Sequence, residues 1–414
     1  MAEPARSGDC DLVCLSHLWW DWVWQRPQHL LTRMARVHRV LWVEEPRIAV
    51  GPPGERLEIE ETSPRLTVAR LVYRSDLQTF RRRLDAQVAA FGAAGFDLAG
   101  DLHHASLLFQ GAPLAHLERE LGAYLAHWRR LDRPLIAWLY TPMAAGFVDL
   151  LRPDLVVYDV MDDLAAFEFP LPGLIDQQRE LLRRADLVFA GGPGIRRSLL
   201  PYRRDVHLFP SGVEHQHFAR ACDSQLPLPA DVAHLPKPVV GFFGVLDERI
   251  DFPLLAQVAT DRPAWSWVLI GPATRIRPDA LPRLPNLHYL GKRQYSDLPA
   301  YLKAFDVATM PFARNAATRS ISPTKTLEYM AAHKPIVSTP IPDVLRLYGG
   351  LVGIGDGPEA FVAAVEAALG EDAAARHARH TRELEVLARS SWDATAMEMQ
   401  ALIDGALLDG GRRV

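Results

Sequence analysis

The sequence predicts an α/β protein made of two doubly wound domains facing each other across a cleft. Short apolar runs alternate with amphipathic helical stretches, the pattern of a parallel sheet wrapped by helices. The alternation stops at a polar, proline-rich stretch, 221–238, and then begins again. The length, 414 residues, exceeds what a single hydrophobic core usually supports.

Taken in order, Asp11–Ser16 reads as a strand, Pro27–Arg36 as a helix and Arg39–Val43 as a second strand. Arg56–Glu61 and Leu66–Tyr73 alternate like antiparallel or edge strands after a Pro/Gly turn. Leu77–Phe91 and Leu114–Arg130 are amphipathic helices. Leu135–Tyr140, Leu155–Asp159, Asp186–Ala190 and Val206–Phe209 are further strands, and close a first domain at about residue 220. Residues 221–238 read as a linker without helical or strand period. The second domain, 239–390, has strands at Val239–Phe243, Trp267–Ile270, Leu287–Leu290, Val307–Met310, Ile336–Ser338 and Leu351–Ile354. The tail from 391 is a helix, Trp392–Leu408, followed by a frayed end. In such sheets ligands bind at the carboxyl ends of strands, here in the cleft.

Composition narrows the function. A net charge of −4 argues against a dedicated nucleic-acid binder. Cys10, Cys14 and Cys222 form no pairing framework or ligand spacing, which suits a reducing cytoplasm. No leader is expected in Met1–Asp9, which lacks an apolar core, and no run approaches the roughly 20 apolar residues of a membrane span. His103-His104 and His215-Gln-His217 lack convergent partners, so no metal is expected. Asp9-Cys-Asp11 precedes the first strand and carries little weight.

The most informative stretch is Ser322-Pro-Thr324-Lys325-Thr-Leu-Glu328-Tyr-Met. Ser322 reads as an N-cap, with Pro323 at the first helical position. The third position usually favours Glu or Gln, but here it is Lys325, a cation at the positive end of a helix dipole. Backbone amides and a lysine aimed at one spot make a phosphate cradle. Glu328 shares the face of Lys325 and can accept two hydrogen bonds from a vicinal diol such as ribose. A solvated lysine is the plain alternative, but only five of the 46 basic residues are lysines.

Other constellations sit at strand ends. Gly241-Phe-Phe-Gly244 lets a ligand approach the backbone, and Arg249 can reach a diphosphate. Trp19, Trp20, Trp22 and Trp24 crowd one loop after the first strand, with Asp21, Arg26 and His29. Such indoles stack on sugars or an apolar acceptor tail, or else fill an interdomain gap. Asp159, Asp162 and Asp163 cluster after Leu155–Asp159. Neighbouring carboxylates raise one another's pKa, which suits a general base, unless the loop is merely solvated. Arg81-Arg82-Arg83 reads as a solvated helix face or, more sharply, a contact with an anionic membrane surface.

Ser322–Ala332 followed by Lys334-Pro-Ile-Val-Ser-Thr339 resembles the donor-site signature of GT-B glycosyltransferases, specifically family 4, the group 1 glycosyl transferases of bacterial envelope polysaccharide synthesis. Trp20-Asp21, Gln25-Arg-Pro-Gln-His-Leu30, Tyr158–Asp163, Gly241–Gly244 and Asn286–Gly291 extend the likeness over nearly the whole chain. The resemblance implies two Rossmann-like domains and transfer of a sugar from a nucleoside-diphosphate donor, such as a UDP-linked sugar, with no cofactor and no metal. The acceptor would be a cell-surface polysaccharide, glycolipid or lipid-linked glycan, and the enzyme cytoplasmic or peripheral at the inner face of the cytoplasmic membrane. Glu328 would hold ribose; Ser322, Thr324 and Lys325 the diphosphate; Gly244 would admit it closely; Arg293 and Tyr295, within Lys292–Tyr295, would contact the base. The tail helix would cross back to the first domain. Trp22, Trp24, Arg26 and His29 are the expected acceptor contacts, and Asp162 or Asp159 the base if configuration inverts. A GT-B nucleotide-sugar epimerase and a non-catalytic two-lobed binding protein are the alternatives. The chain departs from the family at Ser320, where a glutamate is usual, at the missing Arg/Lys pair after Gly244, and at His333 in place of glycine.

Overall fold

The computed structural model describes residues 9–76, 78–79, 82, 104–106, 111–167, 173–274, 276 and 280–410. The expected helix Leu77–Phe91 and basic run Arg81–Arg83 lie outside these residues, save for Gln78, Thr79 and Arg82.

Two sheets organise the chain. The first contains β1 (Asp11–Ser16), β2 (Arg39–Glu44), β3 (Arg47–Val50), β4 (Gly54–Ser63), β5 (Leu66–Ser75), β6 (His104–Ser106), β7 (Leu135–Leu139), β8 (Leu155–Val160), β9 (Leu187–Ala190) and β10 (Val206–Leu208). Their order is β10-β9-β8-β7-β1-β2-β5-β3-β6, with β4 paired to β5. Only β3–β6 and β4–β5 run antiparallel. Apolar residues of β1 alternate between two cores. Val13 and Leu15 face one, with Leu41 and Leu139; Leu12 and Cys14 face the other, with Val40, Trp42 and Ile136. A strand buried on both faces reads as a continuous apolar run, which is why β1, β7 and β8 stand out in the sequence.

The second sheet is all parallel: β11 (Val239–Phe243), β12 (Ser266–Ile270), β13 (Leu287–Tyr289), β14 (Val307–Met310), β15 (Ile336–Ser338) and β16 (Gly353–Ile354), in the order β13-β12-β11-β14-β15-β16. Consecutive strands proceed outward from β11 and then, after a crossover, outward on the other side from β14. The first sheet reverses in the same way between β1 and β7. Each reversal opens a crevice beyond the strands' carboxyl ends. The tryptophan loop follows β1, and Gly244 follows β11.

Several segments depart from expectation, β6 among them. Residues 221–238 are not featureless: Ala230–Ala233 is a helical turn whose Val232 is 2% exposed, packed into the core of the second sheet. β3 is an unexpected strand, four residues bonded between β5 and β6. The last described helix, Trp392–Gly410, buries Trp392, Met399 and Ile403 in the core of the first sheet, packing back on the lobe that contains β1.

Candidate active site

The donor-side stretch forms a helix at Lys325–Ala331, two residues later than its sequence suggests. Thr324, not Ser322, occupies the N-cap, and Lys325 is the first helical residue instead of the third. With seven residues the helix offers little dipole, so the chemistry rests on side chains. Lys325 Nζ lies 2.9 Å from Glu328 Oε2, confirming that the two share a face. Each neutralises the other here, which removes the cost of a cation at a helix start. Lys325 Nζ also sits 5.1 Å from the Phe243 ring centroid and 3.4 Å from Thr324 Oγ1.

Packing sets the helix against β11. Tyr329 is fully buried, and its hydroxyl accepts a hydrogen bond from the Phe243 amide at 3.1 Å. The end of β11 is thereby pinned to the helix that carries Lys325. Beyond it the chain passes through Gly244 (φ +156°) and, at the end of β12, Gly271 (φ +149°). A Cβ on Gly271 would lie 1.8 Å from the Gly244 carbonyl oxygen. A Cβ on Gly244 would lie 2.8 Å from the Phe242 ring and 3.6 Å from Lys325 Cε. The two strand ends touch backbone to backbone, directly beside the lysine.

Arg249 belongs to the same strand end. Its Nε and Nη2 donate to both Asp247 oxygens, at 2.9 and 2.6 Å; burial works against its charge, but the carboxylates of Asp247, Asp162 and Glu248 outweigh burial and raise its pKa above the ordinary value. Its Nη1 lies 3.9 Å from Asp162 Oδ1 of the first lobe. Asp162 follows β8, so this pair crosses the cleft. Asp163 beside it is held above the usual carboxylate range by burial.

Several expected contacts are spent elsewhere. Asp159 is fully buried, and Arg26 donates to both its oxygens and, at 2.7 Å, to the Phe209 carbonyl. Both side chains are withdrawn from solvent, because a buried carboxylate at the end of β8 needs a buried counter-charge. Arg293 donates to Asp231 Oδ2 (2.8 Å) and Tyr301 Oη (2.7 Å), partners within its own lobe. Lys292 crosses to the first lobe, donating to the Asp21 carbonyl at 2.8 Å under the Trp22 ring. Tyr295 donates to Glu214 Oε2 at 3.0 Å and stacks on His217, 4.4 Å between centroids. Ser322 caps nothing; its Oγ is buried without a hydrogen-bond partner.

The tryptophans divide. Trp20 packs edge-on against Trp42 of β2, and Trp24 stacks on Tyr295. Trp24 Nε1 donates to His29 Nδ1 at 3.1 Å, and His29 lies flat on Trp392 of the last helix. Burial, followed by the charges of Arg33, Lys325 and His217, holds His29 well below its ordinary pKa. Trp24 and His29 therefore build the junction between lobes, and the half-buried Trp22 lies 5.2 Å from the Lys292 ammonium.

Sequence reasoning missed a further contact between the lobes. At Gly192-Pro193-Gly194, after β9, a Cβ on Gly194 would lie 2.8 Å from Ser320 Cα, and one on Gly192 2.7 Å from Ser322 Cβ. The Gly194 amide donates to buried Asp343 at 3.0 Å. Nothing local in the Gly-Gly-Pro-Gly run reveals what docks on it. A separate hollow of about 350 Å³ between Gln257, Arg314 and Asp356 holds none of the expected residues. Among the described residues no cluster of three or more His, Cys, Asp or Glu is arranged to hold a metal, and no helix is long and apolar enough to cross a membrane.

Residues 237–371 match the family model described as Glycosyl transferases group 1. The chain is 27% identical over 254 residues to the putative teichuronic acid biosynthesis glycosyltransferase TuaH of Bacillus subtilis, an alignment covering 57% of this chain and 64% of that protein. Whole-chain likeness comes from solved structures. Sucrose-phosphate synthase from Thermosynechococcus elongatus superposes with TM-score 0.68 at 16% identity, covering 97% of this chain and 100% of that one. The E. coli trehalose-6-phosphate structure bound with UDP-2-fluoro glucose gives 0.64 at 16% identity, covering 95% and 99%. The fold is thus GT-B: two Rossmann-like lobes with their strand ends facing.

Proposed function

We propose that this chain, a GT-B protein whose second lobe matches the group 1 glycosyl transferases, is a glycosyltransferase using a nucleoside-diphosphate sugar. The observation that carries the reading is the Lys325–Glu328 pair, 2.9 Å apart beside the Gly244 turn. A cation and a carboxylate one turn apart suit a diphosphate and the ribose diol next to it. Arg249, at the same strand end, supplies a second cation, and the Gly244–Gly271 contact leaves no side chain between ligand and backbone.

In the reaction an acceptor hydroxyl oxygen bonds to the sugar's anomeric carbon. The bond from that carbon to the diphosphate oxygen breaks, and its electron pair leaves with the nucleoside diphosphate. Lys325 and Arg249 stabilise the charge that develops there without a metal. Where configuration inverts, the hydroxyl proton passes to Asp162. The acceptor proposed is a cell-envelope glycan, glycolipid or lipid-linked precursor, met at the inner membrane face; the name of the TuaH relative supports this choice. Trp22, beside the Lys292 ammonium, is its proposed stacking surface.

Calorimetric titration with UDP, GDP and dTDP tests the donor site. Lys325→Ala and Glu328→Ala should each weaken binding by roughly one to two decades in a chain that still folds, with a lowered melting temperature because each leaves a buried partner charge unpaired. Equal affinity in both variants and the parent would refute the placement. Transfer should survive excess EDTA; abolition by EDTA with recovery on added Mn²⁺ would refute metal-independent transfer.

A further inference from the structure

The hollow of about 350 Å³ lies in the second lobe, outside the donor site. It sits where the helices Phe252–Asp261 and Pro358–Leu369 begin, beyond the carboxyl ends of β14, β15 and β16. An ion pair from Arg262 to Glu366, 2.7 Å, ties these two helices together. Phe312, Pro253 and Pro358 form the apolar part of the lining, and Arg314, Asp356 and Asp251 the polar part. Arg314 Nη1 donates to both Asp356 oxygens at 2.9 Å, and the two side chains are 64% and 63% exposed. Among the described residues the other guanidinium nitrogens of Arg314 have no partner. Asp251 Oδ1 accepts the Leu254 amide at 2.9 Å, and its Oδ2 has no partner among them. One segment, 312–315, separates the hollow from Arg249. The Ala313 amide donates to the Arg249 carbonyl at 2.8 Å, and Asn315 Nδ2 donates to the Glu248 carbonyl at 2.7 Å.

We propose that this hollow is a saccharide site, which takes a neutral hexose unit of a glycan. The inference rests on the transferase reading for the source of that glycan and deepens it: the acceptor chain is held at a second point, away from its reacting end. The C–H face of a sugar ring packs on aromatic and prolyl rings, here Phe312, Pro253 and Pro358. Its neighbouring hydroxyls meet an ion pair that offers donors and acceptors side by side. The volume is near the small end of ligand sites, roughly 300–1,000 Å³, which suits a sugar ring better than a whole nucleotide sugar. Charge selects among sugars. Two carboxylates, Asp251 and Asp356, face one guanidinium, Arg314, so one negative charge is in excess. That excess repels a phosphate or a uronate and leaves neutral hydroxyls free to bind. A glycan seated there lies one chain segment away from Arg249, within reach of the proposed transfer site.

A single sugar ring should bind with an affinity of millimolar order, so saturation-transfer NMR on the full chain is the measurement. D-glucose, D-galactose and N-acetyl-D-glucosamine are the neutral probes, and D-glucuronate is the charged one. At least one neutral probe should bind, glucuronate should bind more weakly, and saturating UDP should displace neither. Arg314→Ala should weaken the neutral probe at least about fivefold and leave UDP affinity unchanged. Asp356→Asn removes the excess charge and should raise glucuronate binding to that of the neutral probe. A misfolded chain does not gain a ligand, so this gain cannot arise from damage; both positions are exposed, and both variants should fold. Absence of binding by all three neutral probes overturns the site. So does displacement by UDP, which would put the sugar in the donor site, and so does binding that Arg314→Ala leaves unchanged. Glucuronate bound by the parent as tightly as the neutral probe, or no gain in Asp356→Asn, overturns the choice of a neutral sugar. Failure of the parent to bind UDP, GDP or dTDP would overturn the donor reading instead, and the neutral probes would still report on the hollow.

Discussion

Arg26 and Asp159 lie 133 residues apart in sequence and form a two-pronged, fully buried ion pair, with Nη2 2.9 Å from Oδ1. The third prong, to the Phe209 carbonyl, links the helix after β1 to the segment leaving β10. Three parts of the first lobe meet at one guanidinium. Removing either partner leaves a buried charge unpaired, so Arg26→Ala and Asp159→Ala should each cost about 3–5 kcal/mol. Urea unfolding measures this. A loss below about 1 kcal/mol in both variants would mean that water reaches the site.

Gly271→Ala should disturb the donor site from a distance. Its methyl group would lie 1.8 Å from the Gly244 carbonyl oxygen, at a backbone angle that side chains avoid. The Gly244 turn has to move, and Lys325 Cε is beside it. UDP affinity should fall at least tenfold, with a stability loss of about 1–3 kcal/mol. Parent-like UDP affinity would show that the turn does not touch the ligand.

Trp22 and Trp24 should part company. Trp24→Ala removes a ring that stacks on Tyr295 and holds His29, so melting temperature, donor hydrolysis and transfer should all drop. Trp22→Ala removes the indole beside the Lys292 ammonium, and should lower transfer while sparing hydrolysis and melting. Loss of all three in both variants would move the acceptor surface away from this loop.

Glu383 supplies a pH test. Burial raises its pKa from 4.5 to about 7 against the pull of Arg379, while Glu371 adds to the rise. The folded protein therefore holds this proton more tightly than the unfolded chain. That stabilisation is complete below about pH 4.5 and is lost as pH rises through about 7, by about 3 kcal/mol at most. Glu383→Gln has no proton to lose. Its stability relative to the parent should increase between pH 5 and pH 8, read by denaturant unfolding at both. A constant difference would show that Arg379 keeps the carboxylate charged throughout.

Strands buried on both faces were legible because burial leaves an unbroken apolar run, as in Leu135–Leu139 and Val239–Phe243. Lys325 and Glu328 were legible as a pair because one helical turn brings them together whatever surrounds them. Arg26, Asp159 and Arg293 were not. Each was picked for its chemistry near a strand end, but its direction is decided by partners far along the chain: Phe209 for one, Asp231 for another. The Ser322 cap failed for a related reason. The backbone there is drawn towards Gly192 of the other lobe, and the helix begins only after it leaves that contact. Aromatic loops are ambiguous by nature, since an indole suits a junction as well as a sugar; Trp24 turned out to be the first.

The chain crosses between the lobes twice, once near Val213 and once near Ser391, and the crossings run side by side. The Val213 amide donates to the Ser390 carbonyl at 2.8 Å, and Gly212 is pressed so close to Trp392 that a Cβ would lie 2.8 Å from its ring. One tether would allow twisting, sliding and tilting alike. Two tethers bonded to each other behave like the knuckles of a door, leaving rotation about a single line as the easy motion. Opening then follows an arc, in which points far from the pin travel most and those beside it hardly at all.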